Sequence, residues 1–577
     1  MGFVVILRMN MPKFNFKIAQ MLEYQMIFSG KPLSSSEYIQ RIGKEKVLMM
    51  SSFFANIDIM EMQKDPVAFI YDYFTPANQA FADKLVQVMM TQYGDSLKNN
   101  PMAALNFINL IALYHIIDKA LSLPDSQNSD YQVTAADQIE YMKMLFAENS
   151  NIVNRQEAIN NSKMQSMEDA IEQMLACQIA DWDYSHVRLE EASMSQIFKC
   201  VYFFQYAEQA LPMHLRQFCV QNGVGDWKEY ARIIIGLFLP FDKYKGATIV
   251  VSEGIPDYLQ VRGILDKLSA RQSAEEDDYD FRQLRECPLY KRTDGNYMIL
   301  SKLFLVEKLY KSLYFEFRAI NEQLTQTEMI DDFKSYIGLH FAEEYLCDKI
   351  LSKSFPRKFV KKSGSTFRAE GFTDSEPDYY VRNGNKAFLF ECKDALLKSE
   401  AKISYDAEVV KNELRTKLHY AVGRRGVEKP KAIRQLLNNA RRLMEENVIE
   451  NLTIKENLRI FPIIITHDRA FTSPGVNWLL NRWYMKEIRD NYPQLVGHLM
   501  PLVMIDIDTL VLTCSRLQSR RFILEHWIST YNRDMLANLQ ELNQLPFSIY
   551  ASGELLAKGN DMEYIVRDLK VLVNDVD

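Results

Sequence analysis

Two short apolar runs on either side of an Asn-Gly pair form the sharpest local pattern in this chain. Residues 376–394 read EPDYYVRNGNKAFLFECKD. Tyr379, Tyr380 and Val381 precede Asn383-Gly384, and Ala387, Phe388, Leu389 and Phe390 follow it. These are strand-forming residues, and Asn-Gly suits the two central positions of a type I′ turn, so the stretch predicts a β-hairpin. A two-residue turn centred there sets Asp378 across from Leu389 and diagonally beside Glu391. Because side chains alternate along a strand, Asp378, Leu389, Glu391 and Lys393 then share one face. Phe388-Leu389-Phe390 is a nearly unbroken apolar run, which predicts a strand buried on both sides.

Elsewhere the pattern divides the chain. Up to about residue 280, apolar residues recur at spacings of three and four, as at Phe107-Ile108, Ile111 and Tyr114, so this part reads as helical. A polar stretch at 125–130 offers a further break within it, and the acidic run at 275–280 reads as a solvated linker. Residues 281–325 form a connector with a small hairpin around Asp294-Gly295 and a helix. Residues 326–552 follow the order helix, hairpin, helix, strand, strand, helix, an α/β/α arrangement with a mixed sheet, and 553–577 form a tail. The expected fold class is multidomain: a mostly α-helical N-terminal half followed by an α/β/α domain.

At 577 residues the chain exceeds one ordinary core, and 47% hydrophobic with 25% charged residues argues against disorder over most of it. The net charge of −7 argues against a generic nucleic-acid coat. Its distribution changes that picture: residues 351–450 hold 21 Lys+Arg against 14 Asp+Glu, a local excess around the hairpin. Seven scattered cysteines without a CxxC argue for a reducing compartment and against a zinc ribbon. The 3–7 run is too short for a signal-peptide core and no window approaches a membrane span, so a cytoplasmic location is expected.

Acids and a lysine at the end of a doubly buried strand need partners, since unpaired buried charge costs several kcal/mol, and a divalent cation is one such partner. Pro377-Asp378, then Glu391-Cys392-Lys393, resembles the motif of the PD-(D/E)xK nucleases, the restriction-endonuclease-like superfamily. Pro256-Asp257 is a second Pro-Asp, but no Glu-x-Lys strand follows it. The resemblance covers somewhat over a third of the chain, in its C-terminal half. It implies Asp378 and Glu391 as ligands of Mg²⁺ (or Mn²⁺), the carbonyl of Cys392 as a third ligand, and Lys393 as the group that orients or activates water. It also implies a glutamate from the preceding helix, Glu343 in preference to Glu344, and a glutamine from the following one, Gln435.

The activity implied is metal-dependent hydrolysis of DNA phosphodiester bonds, with 5′-phosphate and 3′-hydroxyl products and double-stranded DNA as the partner. By analogy of architecture, a defence role against foreign DNA follows. Lys358, Lys361 and Lys362 before the hairpin, and Arg434, Arg441 and Arg442 on the helix after it, are expected to contact phosphates. The Cys392 side chain is read as packing, His467-Asp468 as loop chemistry or substrate contact, and Asp506 and Asp508 as structural. Two alternatives remain at this point: a non-catalytic scaffold with a vestigial nuclease fold, whose Met-rich helical half binds a protein partner or itself, and a nuclease acting on RNA.

Overall fold

A computed structural model of the chain describes residues 8–10, 13–15, 21–57, 65–99, 108–124, 131–160, 166–238, 248–251, 254, 257–270, 280–371, 376–423, 425–445, 452–518, 524–537 and 545–551. The 3–7 run, the 125–130 break, Pro256, nearly all of the acidic run at 275–280 and the 553–577 tail lie outside the described residues.

The chain forms two compact units, and each is discontinuous. Met1–Gln165 joins Arg216–Glu316, and Ser166–Leu215 joins Phe317–Asp577. The sequence reading cut the chain once at 280 and again at 325. The structure instead assigns an internal helical segment to the unit that carries the sheet. Helical periodicity shows which face of a segment is apolar but not what covers it, so the exchange was not visible.

The first unit is helical, with the Lys44–Ala55 helix packed on Leu110–Ser122. Phe54 stacks on Tyr141 at 5.9 Å. The predicted small hairpin is present as Leu289–Lys291 and Tyr297–Ile299, and Thr248–Ile249 adds a third strand.

The second unit is built on a five-stranded mixed sheet. Its strands are β1 (Val360–Ser363), β2 (Tyr379–Asn383), β3 (Lys386–Lys393), β4 (Arg459–Thr466) and β5 (Val503–Asp506). They lie in the order β5-β4-β3-β2-β1. Strands β1, β2 and β3 pair antiparallel, and β3, β4 and β5 pair parallel. Parallel neighbours require a crossover, which the Ala407–Leu418 and Ala432–Glu445 helices supply between β3 and β4.

Helices cover both faces. Leu389 and Ala387 of β3, with Tyr380 of β2, Ile464 of β4 and Met504 of β5, pack in one core with residues of the Met167–Gln178, Ala407–Leu418, Ala432–Glu445 and Val476–Asn491 helices. On the opposite face Phe388 stacks on Phe461 at 4.9 Å and Phe355 meets Phe390 at 5.9 Å. Each fully buried side chain of this kind contributes about 1.5–3 kcal/mol, which explains why β3 is apolar on both sides.

The hairpin turn has two residues but sits one position later than Asn383-Gly384. Asn383 pairs with Lys386, which leaves Gly384 and Asn385 at the centre. Gly384 takes φ +61°, a positive φ at the first central position alone, the type II′ pattern rather than I′. Tyr379 pairs with Phe390, so the position opposite Asp378 is Glu391 rather than Leu389. The shift leaves parity unchanged.

Two further differences bear on the site. The helix expected over 329–352 begins at Phe333 and runs as a π-helix from Ile337 to Cys347 before returning to α-helix over Asp348–Ser354. The basic tract with Lys361 and Lys362 is the edge strand β1, where Lys361 pairs with Val381 and Lys362 with Tyr380. Lysines on an edge strand discourage pairing with a foreign strand.

A candidate acidic centre at the end of the central strand

The site lies at the carboxyl end of β3, where the register brings Lys393 of β3, Thr466 of β4 and Asp506 of β5 side by side. In α/β sheets this end of parallel strands is where functional groups gather, because the strands stop and loops begin.

Asp378 enters β2 and is fixed from across the hairpin: the backbone N–H of Cys392 donates to its Oδ2 at 2.7 Å. Alternation sets Glu391 and Lys393 on the same face of β3, and Lys393 Nζ donates to Glu391 Oε1 at 2.7 Å. Glu391 is only 1% exposed, and its second oxygen, Oε2, is buried with no hydrogen-bond partner among the described residues. Glu343 comes from the π-helical segment, a type of backbone that recurs at functional sites.

The electrostatics are those of a negative excess. Burial, and then the Asp378 carboxylate, push both Glu343 and Glu391 up to about 8. Burial likewise raises Asp378, against the pull of Lys393. Burial alone would lower Lys393, but Glu391, Asp378 and Glu343 outweigh it and hold the ammonium well above its usual value. Lys393 is therefore charged, and its ammonium is shared by three carboxyls. Glu344, the neighbour on the same segment, is engaged elsewhere, 2.8 Å from His340 and paired with Arg368.

Sequence reasoning missed four contributors. Arg368 bridges Glu344 and Glu376, and both Arg368 and Glu376 act electrostatically on Asp378. Asp394 adds a further carboxylate that raises Glu343. Thr466 is fully buried, and its Oγ1 has no partner among the described residues. Asp394 and Glu376 border the motif directly, so their charge was the available signal; the place of Thr466 depends on β4 register, which no local pattern states.

Gln435 stands on the Ala432–Glu445 helix with its Oε1 buried and unpartnered among the described residues. It lies one turn from Lys431, whose charge feels Lys393. The Cys392 side chain points away from this face: its Sγ is 3.2 Å from His467 Nε2, and the Cys347 thiol and burial push its own thiol far above the usual range. It is a packed, fully buried thiol. His467 is lowered by burial and so is neutral, while Asp468 Oδ1 caps the backbone N–H of Ala470.

Most of the cations expected to contact phosphates have partners within the chain. Lys361 Nζ donates to the carbonyls of Ser352 and Phe355, each at 2.8 Å. Lys362 pairs with Glu370 at 2.6 Å, Arg441 with Glu445 at 2.8 Å, and Arg434 with Glu428 and Glu487. Arg441 and Glu445 show the reason: acids placed one helical turn away neutralise the base, a spacing visible in sequence. Lys358 lies over the Phe359 ring at 5.9 Å, and Arg442 is in the last turn of its helix.

Among the described residues no group of three or more His, Cys, Asp and Glu side chains is arranged to hold a metal ion, with the Lys393 ammonium standing beside Glu391. The donor set nonetheless suits a hard cation. Its carboxyl oxygens are the ligands Mg²⁺ prefers, and Glu391 Oε2 is buried without a hydrogen-bond partner among the described residues. Among the described residues no helix is long and apolar enough to cross a membrane. Compared with known proteins, the chain matches no family model, no curated protein and no solved structure.

Proposed function

We propose that the chain is a Mg²⁺-dependent nuclease that hydrolyses phosphodiester bonds of DNA on a restriction-endonuclease-like fold, with its helical first unit serving to sense, recruit or restrain. The observation that carries this reading is the convergence of Asp378, Glu391 and Lys393 at the end of one doubly buried strand, with a buried Glu391 oxygen left unpartnered. Asp378, Glu391, the carbonyl of Cys392 and Glu343 would hold the ion. Bound there, Mg²⁺ polarises a phosphodiester and lowers the pKa of water.

The chain's own groups do the rest. Lys393 keeps its proton at neutral pH, so its Nζ orients water by hydrogen bonding and stabilises the charge that builds on the phosphoryl oxygens. The Cys392 N–H holds Asp378 in a single orientation, so the carboxylate needs no rearrangement to act. Gln435 Oε1 and Thr466 Oγ1, buried and without hydrogen-bond partners among the described residues, are available to position substrate or water.

Isothermal titration of Mg²⁺ and Mn²⁺ tests the reading. Binding by the wild-type chain that is lost in Glu391→Ala is expected. Equal heats from both would remove the acidic centre as the metal site and favour the scaffold alternative.

A further inference from the structure

Between the Ala407–Leu418 and Ala432–Glu445 helices the chain forms a small ribbon, Tyr420–Val422 paired antiparallel with Glu428–Pro430. Its tip is tight. The Gly426 N–H donates to the Gly423 carbonyl at 3.0 Å, and Gly426 takes φ +74°. Arg424 lies outside the described residues.

The base of the ribbon is clamped. Glu487 Oε1 lies 2.8 Å from His419 Nε2 and 2.7 Å from Arg434 Nε. Arg434 also pairs with Glu428 and covers the Tyr420 ring at 4.3 Å. Alternation then turns Tyr420 and Glu428 toward the helix and Lys429 toward the opposite face, with Lys431 just beyond the strand.

Arg425, Val427 and Lys429 are exposed, and Val422 and Val427 are each 64% exposed near the tip. Neither Arg425, Lys429 nor Lys431 has an ion-pair partner among the described residues. Lys431 lies close enough to Lys393, Lys429 and Lys417 that, after burial, their charges lower its pKa. This is uncompensated positive charge held on a rigid base and running toward the acidic centre. It contrasts with Lys362, Arg434 and Arg441, each paired with a carboxylate.

We propose that the 420–430 ribbon is the nucleic-acid grip of this protein, with Arg425, Lys429 and Lys431 contacting the phosphate backbone of duplex DNA and leading it to the Asp378–Glu391–Lys393 end of the sheet. The proposal rests on the nuclease reading and names its substrate as duplex. A two-stranded ribbon has the dimensions of a duplex groove. Single-strand grips need exposed aromatic platforms, whereas the ribbon's one described aromatic, Tyr420, is covered by Arg434.

The test is binding of labelled duplex DNA in EDTA, by anisotropy over a salt series, for the wild type, Arg425→Gln/Lys429→Gln, and the triple variant adding Lys431→Gln. Lys362→Ala and Arg441→Ala serve as controls, and a thermal melt checks folding. Each lost phosphate contact reduces the log–log salt slope by about 0.9, so the double variant is expected to lose about 2 units and the triple about 3, with affinity at 0.1 M salt falling at least about tenfold. The controls should match the wild type. Wild-type slope and affinity in both ribbon variants would overturn the grip and leave the acidic centre untouched. So would a wild type that prefers single-stranded DNA or RNA of equal length, or binds none of them. Because the assay contains no metal, failure of the nuclease reading is read separately, from cleavage by the wild type and Asp378→Ala.

Discussion

Two buried charge clusters lie near the carboxyl ends of the parallel strands and differ in one respect. Around Asp508, carboxylates and cations balance: Asp508 pairs with Lys199 and with Arg469, whose Nε donates to it at 3.0 Å. Asp506 accepts the backbone N–H and the hydroxyl of Thr509, each at 2.7 Å. Burial would raise Asp508, but Lys199 and Arg469 outweigh it and hold the carboxyl well below its usual range. Around Glu391 three carboxyls share one lysine and all three move up, whereas in the other cluster only Asp506 is raised, by burial and by Asp508, and the cation-paired Asp508 is lowered. Similar residue types at similar depth thus serve as an internal strut in one place and as a charge excess in the other. Perturbation toward the uncompensated form is what marks a candidate site.

The comparison breaks most visibly under deletion of one partner. Lys199→Ala leaves Asp508 short of a partner in the interior and should destabilise the second unit by about 3–5 kcal/mol, read as a lowered melting temperature. Glu391→Gln, equally buried, removes part of the excess and should leave the melting temperature unchanged or slightly raised. A large loss for Glu391→Gln would make the acidic centre a strut like the other.

Opposite pH dependences sharpen the contrast. Glu391 and Glu343, raised to about 8, keep protons in the folded chain that the unfolded chain has released. Their contribution to stability therefore falls as pH rises from the usual carboxylate range to about 8. Asp508 has the reverse sign: its contribution is present at neutral pH and is lost only as pH falls below the usual carboxylate range. Thermal melts of Glu391→Gln against wild type from pH 5 to pH 9 should converge at the acid end. Metal must displace the same protons, so Mg²⁺ affinity should climb by up to about tenfold per pH unit per proton released below pH 8. A flat profile would contradict the raised carboxyls.

The smallest effect is expected at the surface. Arg441→Ala breaks an exposed i,i+4 pair worth about 0.3–0.5 kcal/mol and should alter neither melting nor DNA affinity.

How much of this was legible in the sequence follows from the range of each signal. The hairpin, the shared face of Glu391 and Lys393, the strand ending at Thr466 and the Gln435 helix all rest on local periodicity, and the structure places them in one α/β layer. The turn was misplaced by one residue because Asn-Gly fits I′ while Gly384 serves II′. Edge strand β1 was hidden by its two lysines. The Leu189–Ala210 helix, which brings Lys199 to Asp508, read as part of the N-terminal half because a helix bears no mark of the unit it packs in. The partners of Arg434 and Lys362, Glu487 and Glu370, come from tertiary and medium-range packing and were not visible in the sequence.

The central claim is tested most directly by incubating supercoiled and linear duplex DNA with Mg²⁺ and the wild type, Asp378→Ala or Lys393→Ala. The account predicts cleavage by the wild type that falls by about 10³-fold or more in both variants, the scale of losing a metal ligand or a charge-stabilising group. Cleavage at equal rates by all three proteins would contradict it.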